Sequence, residues 1–275
     1  MFSTLLSVCA VSAQTNIRDV DFQNFTYDAD FCGGEEGNST KITVKDGKFY
    51  KETKEDDFVD RMYYSVYGLE YGDLDGDGNE EAVILSMCNT GGTGNFTEAY
   101  VYSMKDGKPI RIMLLSGGDR ADGGLRKAWI ENRVLTVESS DAGETGGACC
   151  PEFIVTNKYR LVGKRLEEVG KETRREIYPA TRVKFPKGKF GTTLEVKMGA
   201  DENIKRFAVG AKKGQTLIVT TTSADAKVSL RRGDAEVMEE EDSLVAKLND
   251  NGDYIFELSN FTDKELQFSI TVTIK

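Results

Sequence analysis

The chain has 275 residues, 39% of them hydrophobic and 30% charged, which is enough apolar material for one or two packed domains and excludes a globally disordered chain. Its net charge of −10 argues against a DNA or RNA partner, since a phosphate backbone needs a basic surface, and favours cations or a basic protein instead. There is no histidine, which excludes Ser-His-Asp and Cys-His nucleophile pairs, His-containing zinc sites and haem ligation by His, and so favours a non-catalytic protein.

The first segment, MFSTLLSVCAVSAQ, is apolar and closes on Val11-Ser12-Ala13, small residues that suit signal-peptidase cleavage before Gln14. A leader over residues 1–13 is too short to cross a bilayer as a helix. Leu6-Ser7-Val8-Cys9 has the outline of a lipid-attachment site, and an anchor at Cys9 is the second reading. No later segment reaches the length of a membrane span, so the expected protein is exported, periplasmic or extracellular. Export suits the cysteines: beyond Cys9 there are four, Cys32, Cys88, Cys149 and Cys150, an even count that fits two disulfides in an oxidising compartment. Neighbouring cysteines pair with each other only under ring strain, so Cys149 and Cys150 are each expected to join one of Cys32 and Cys88. Metal-bound thiolates are the alternative.

The next stretch, residues 14–178, reads as a mixed, mainly antiparallel β domain. A hairpin is predicted over residues 42–51 with Asp46-Gly47 at its turn. Residues 62–67 and 81–87 form strands on either side of an acidic stretch. Residues 99–104 and 109–115 pair around Asp106-Gly107, and residues 134–138 and 152–160 complete a sheet. Trp129, the single tryptophan, is expected in the core.

The acidic stretch is GDLDGDGNEEAVI, residues 72–84. Asp73, Asp75 and Asp77 stand at positions 1, 3 and 5 of a D-x-D-x-D-G loop, Gly78 is at the sharp turn, Asn79 offers a backbone carbonyl and Glu81 stands at position 9. Crowded carboxylates repel one another, by about 1 kcal/mol for a pair about 4 Å apart in water, and an oxygen-only donor set favours calcium. An EF-hand is excluded, because Ile84 occupies the place of its bidentate glutamate and the flanks alternate as strands. What remains is a hairpin loop with weak, structural calcium affinity, on the order of 10⁻⁴ to 10⁻³ M, or a plain hairpin. The loop resembles those of FG-GAP and integrin-type repeats. Together with Gly91-Gly92 and Cys149-Cys150-Pro151, residues 72–83 also resemble a domain of uncharacterised exported bacterial proteins, which implies an envelope location and no activity. Asp119, Asp122 and Glu138 supply the carboxylates for a third reading, a carboxylate-dependent hydrolase.

Residues 165–176, RLEEVGKETRRE, are charged and expected to be helical, and a boundary falls near Tyr178-Pro179-Ala180. From residue 181 to 275 short period-two runs alternate with turns at Gly214, Gly233 and Gly252, the pattern of a β-sandwich. Two of its elements, AKKGQTLIV (residues 211–219) and NGDYIFEL (residues 251–258), resemble the bacterial prepeptidase C-terminal β-sandwich and the periplasmic inhibitors of g-type and i-type lysozyme. In those inhibitors an S-G-x-Y loop is associated with insertion into the enzyme's cleft. The corresponding residues here are Asn251, Gly252, Asp253 and Tyr254, with Asn in place of Ser. The resemblance implies a basic lysozyme-like partner; calcium-stabilised adhesion to a cell-wall glycan is the alternative. The residue types alone also fit a plain turn at Gly252 and a core strand beginning at Tyr254. The acidic run at residues 239–242, EEED, suits a solvated loop or a basic partner.

Overall fold

A computed structural model describes residues 16–30, 32, 39–55, 58–92, 94–118, 123–143, 150–163, 165–240 and 242–275. The expected leader with Cys9, and Cys149, Asp119 and Asp122, lie outside them. The chain is mainly β, as its patterning predicts, and it divides into two compact units between Arg175 and Glu176. Among the described residues no helix is long and apolar enough to cross a membrane.

In the first unit, β1 (Thr26–Ala29) and β2 (Thr40–Thr43) form an antiparallel ribbon. A five-stranded sheet follows in chain order: β3 (Lys48–Glu55), β4 (Phe58–Gly72), β5 (Glu81–Asn89), β6 (Asn95–Lys105) and β7 (Lys108–Ser116). A second sheet holds β8 (Leu125–Glu131), β9 (Val134–Asp141), β10 (Phe153–Val162), β11 (Arg165–Glu168) and β12 (Thr173–Glu176), with β11 and β12 both paired to β10. Strand β5 is buried on both faces, so its apolar run, AVIL, is continuous and lacks the alternation expected of the loop's flanks. One face packs on an aromatic cluster with Phe22, Tyr27, Tyr64, Tyr100 and Tyr102. The other contributes Val83 and Leu85 to a core shared with Leu74, Val101, Ala128 and Leu135. Ring pairs such as Phe25–Tyr27, 5.1 Å apart edge to face, add about 0.5–1.5 kcal/mol each beyond their buried area.

Four expectations are corrected here. Residues 165–176 form two strands, not a helix: Gly170, at φ 83, breaks the segment, and pairing with β10 overrides its helical propensity. Leu166 packs on the core, and Arg174 and Arg175 reach Asp141 and Glu138. The Asp46-Gly47 turn forms, at φ 51 and 73, but it joins strands of different sheets, since β2 pairs with β1 and β3 with β4. Cys32 bonds to Cys88, with Cα atoms 5.6 Å apart, so neither is available to Cys149 or Cys150. The physical reason is burial: both sulfurs lie within the aromatic cluster. Trp129 is only partly buried, with the Lys127 ammonium 5.1 Å from its ring centre.

The second unit holds β13 (Thr181–Arg182), β14 (Gly191–Met198), β15 (Ile204–Ala211), β16 (Thr216–Thr221), β17 (Ala226–Arg232), β18 (Ala235–Glu239), β19 (Ser243–Leu248), β20 (Gly252–Asn260) and β21 (Leu266–Ile274). They form two sheets, in the orders β13-β15-β20-β17 and β14-β21-β16-β19-β18. Alternate residues of each strand, for example Leu266, Phe268, Ile270, Val272 and Ile274 of β21, point into one shared core. This is a β-sandwich, and period two is its cause: one face of each strand is apolar and must be covered.

Candidate functional site: an acidic loop and a pair of turns

The acidic loop leaves β4 at Gly72 and enters β5 at Glu81, which pair across the ladder. Its fold is made by aspartates binding nearby backbone N–H groups. Asp73 accepts from Gly76 at 2.5 Å and from Gly78 at 3.3 Å, Asp75 accepts from Asp77 at 2.9 Å, and Asp77 accepts from Asn79 at 2.7 Å. Leu74 plugs into the core between the sheets, and its N–H donates to Glu81 Oε2 at 2.8 Å. Glu81 is fully buried, and among the described residues no group makes a well-formed hydrogen bond to its Oε1. Burial pushes the Glu81 carboxyl above the usual range, against the pull of the Leu74 N–H and Ser103.

Asp73, Asp75 and Glu81 each place one carboxylate oxygen within 4.8 Å of the others. Oxygens so spaced suit a common cation at the 2.3–2.6 Å typical of calcium. The orphaned buried oxygen of Glu81 fits the same group, since an unpaired buried carboxylate is costly. Asp77 stands apart: its two oxygens are taken by the backbone and side-chain amides of Asn79, which hold its carboxyl below the usual range. Arg133, which the sequence did not single out, donates from Nη2 to the Asp75 carbonyl at 2.8 Å.

In the second unit, Gly252 begins β20 at φ 154, a conformation that side-chain-bearing residues rarely adopt. Asn251, Gly252 and Asp253 are exposed, whereas Tyr254 is 2% exposed. The Tyr254 hydroxyl lies 3.1 Å from the Asp234 carbonyl and 2.9 Å from the Asp250 carbonyl, and it accepts from the Asp250 N–H at 3.1 Å. Tyr254 is therefore the buried anchor of the turn. The exposed Asp253 carboxylate meets Arg182 at 2.6 Å. Asn251 Oδ1 accepts from the Lys213 N–H at 2.9 Å, which joins this turn to the one at residues 212–215. That second turn is closed by Gln215, whose Oε1 accepts from the Lys212 N–H at 2.8 Å. The two elements singled out in the sequence thus meet, and their shared surface carries Lys212, Lys213, Asn251 and Asp253. Arg182 carried no signal in the sequence, and Lys213 was marked only as part of its element, because both contacts arise between segments distant in sequence.

The remaining carboxylates build less. Glu138 pairs with Arg175 at 3.3 Å, and its proposed companions Asp119 and Asp122 lie outside the described residues. Of the acidic run at 239–242, the described Glu240 and Asp242 are exposed.

No protein-family model matches the chain, and no curated protein matches it. Among solved structures, the chain is similar to a periplasmic lysozyme inhibitor of g-type lysozyme, PliG, from Aeromonas hydrophila, at 18% identity over 35% of this chain and 96% of that one, with a TM-score of 0.31. It is similar also to a PliG mutant from Escherichia coli, at 18% identity over 35% and 97% and a TM-score of 0.29, and to PliG from Salmonella Typhimurium, at 17% over 35% and 97% and a TM-score of 0.29. At these values the likeness carries no argument.

Proposed function

We propose that the chain is a non-catalytic exported binding protein. Its second unit engages a basic, lysozyme-like protein through the joined turns of Asn251, Gly252, Asp253, Lys212 and Lys213. The observation that carries this reading is the Asn251–Lys213 hydrogen bond, which gathers both inhibitor-like elements onto one exposed surface held by rigid strands. Tyr254 acts from beneath, as the anchor that sets the height of the turn. The excess of acidic residues supports electrostatic steering of a basic partner. The buried Cys32–Cys88 disulfide supports an oxidising compartment.

In the first unit, Asp73, Asp75 and Glu81 would hold calcium as a structural ion. The ion would neutralise the crowded carboxylates and satisfy Glu81 Oε1. The test is capture on immobilised g-type and i-type lysozymes at low salt. Retention that fails when Asp253→Lys is introduced supports the reading. No retention overturns it, and retention on peptidoglycan instead, weakened by a chelator, would favour adhesion to a glycan.

A further inference from the structure

We propose that the first unit carries an oxyanion-binding cleft, formed by Arg133, Arg160 and Asn132 beside the acidic loop, that takes a carboxylate or phosphate group. The turn between β8 and β9 holds Asn132 and Arg133 at φ 52 and 62, and so throws the Arg133 side chain over the acidic loop. There its guanidinium lies where a side chain on residue 76 would be, which, with φ 83, is why position 76 is glycine. Arg160 projects from β10, two strands along the same sheet. The cleft between them holds about 360 Å³ and is lined by Leu74, Asp75, Asn132, Arg133, Arg160 and Leu161.

Charge is the argument. Arg18, Arg61, Arg111, Arg174 and Arg175 of the same unit each pair with a carboxylate, and Arg126 donates to Ser140 Oγ at 3.2 Å. Among the described residues, no carboxylate lies within ion-pair distance of Arg133 or Arg160. In a chain with acids in excess, Arg133 and Arg160 thus line one cleft without an ion pair among the described residues, although Glu167 stands opposite Arg160 in the β10–β11 ladder. The bond to the Asp75 carbonyl uses one donor of Arg133 and fixes the plane of the fork, leaving further N–H groups for a ligand. A preorganised planar fork matches the two oxygens of a carboxylate or phosphate. Leu74 and Leu161 supply an apolar wall that strengthens such a contact by lowering the local dielectric. Asp75 is the one acid in the lining and opposes an anion. Calcium at Asp73, Asp75 and Glu81 would offset that charge, so anion affinity should rise with calcium. This last step rests on the calcium reading; the cleft itself does not.

The experiment follows the arginine Nε–Hε resonances of the full chain by NMR at low ionic strength. Inorganic phosphate and glucuronate are titrated separately, each in the presence of a chelator. Saturable shifts of Arg133 and Arg160 in the millimolar range support the cleft, and the probe that produces them names the group it takes. Arg160→Ala should leave the melting temperature unchanged and weaken binding about tenfold, and Arg160→Lys should restore only part of it. Shifts that never saturate, shifts spread over all the arginines, or equal binding by Arg160→Ala overturn the proposal. Glucuronate is then titrated in millimolar calcium. Affinity higher by about threefold or more supports the coupling, and unchanged affinity sinks the coupling while the cleft stands.

Discussion

Asn251 and Lys213, 38 positions apart in sequence, are joined by a 2.9 Å hydrogen bond from the Lys213 N–H to the Asn251 side-chain oxygen. The bond locks two turns that the strand pairing Ala211↔Gly252 already brings side by side. Asn251→Ala should cost about 1 kcal/mol and lower the melting temperature of the second unit by about 4–8 °C. It should also weaken partner capture by more than that loss explains, because the turns are then free to move separately. Calorimetric melting alongside a capture assay separates the two effects.

Tyr254 makes the opposite prediction. Its hydroxyl is turned inward to the backbone of Asp234 and Asp250. Tyr254→Phe should cost about 1–3 kcal/mol, because buried backbone groups lose their partner. Capture at a temperature where the variant is folded should be unchanged. A loss of capture there would show that the hydroxyl reaches the partner.

Calcium should raise the melting temperature of the first unit, and Asp75→Ala should abolish the rise. Glu81→Gln should do the same while leaving the chelated protein as stable as the parent or more so, since the buried charge is gone. Differential scanning calorimetry in chelator and in millimolar calcium is the measurement. Because Gly72 leaves no room for a side chain against Ile130, next to Trp129, tryptophan fluorescence should follow the same titration.

Glu98 should make stability depend on pH. Its carboxylate is buried, accepts from the Asp30 N–H at 3.2 Å and from the Tyr100 hydroxyl, and burial raises its pKa above the usual 4.5. An acid whose folded pKa is raised contributes stability that is fully present below the unfolded value and is lost as pH rises through the folded one. Glu98→Gln, whose Oε1 can accept from the Asp30 N–H and whose Nε2 can donate to the Tyr100 oxygen, should flatten that slope and be the more stable protein at neutral pH. Chemical denaturation of parent and variant from pH 4.5 upward reads the difference.

The sandwich was legible in the sequence because β14, β16 and β21 each cover one face, and period two records that directly. Strand β5 was placed correctly, but as an alternating strand, whereas it is buried on both faces. Strands β11 and β12 were hidden, since they are short, mostly exposed and charged, and only their pairing with β10 makes them strands. The acidic loop was read from spacing, which placed Asp77 with its neighbours. Its capture by Asn79 is a local competition that spacing does not record. Arg133 was invisible because its role depends on a β8–β9 turn meeting a loop more than fifty residues upstream. Cysteine parity indicated disulfides, but the adjacency of Cys149 and Cys150 ranked the pairings wrongly, because burial of Cys32 beside Cys88 decides them.

The most direct test is calorimetric titration of the full chain into a basic g-type lysozyme at low and physiological salt, with Asn251→Ala and Asp253→Lys alongside. A saturable complex, tighter at low salt and weakened by both substitutions while the melting profiles show folded protein, is the expected result. No heat of binding at low salt, or a complex indifferent to both substitutions, would contradict lysozyme binding through the joined turns.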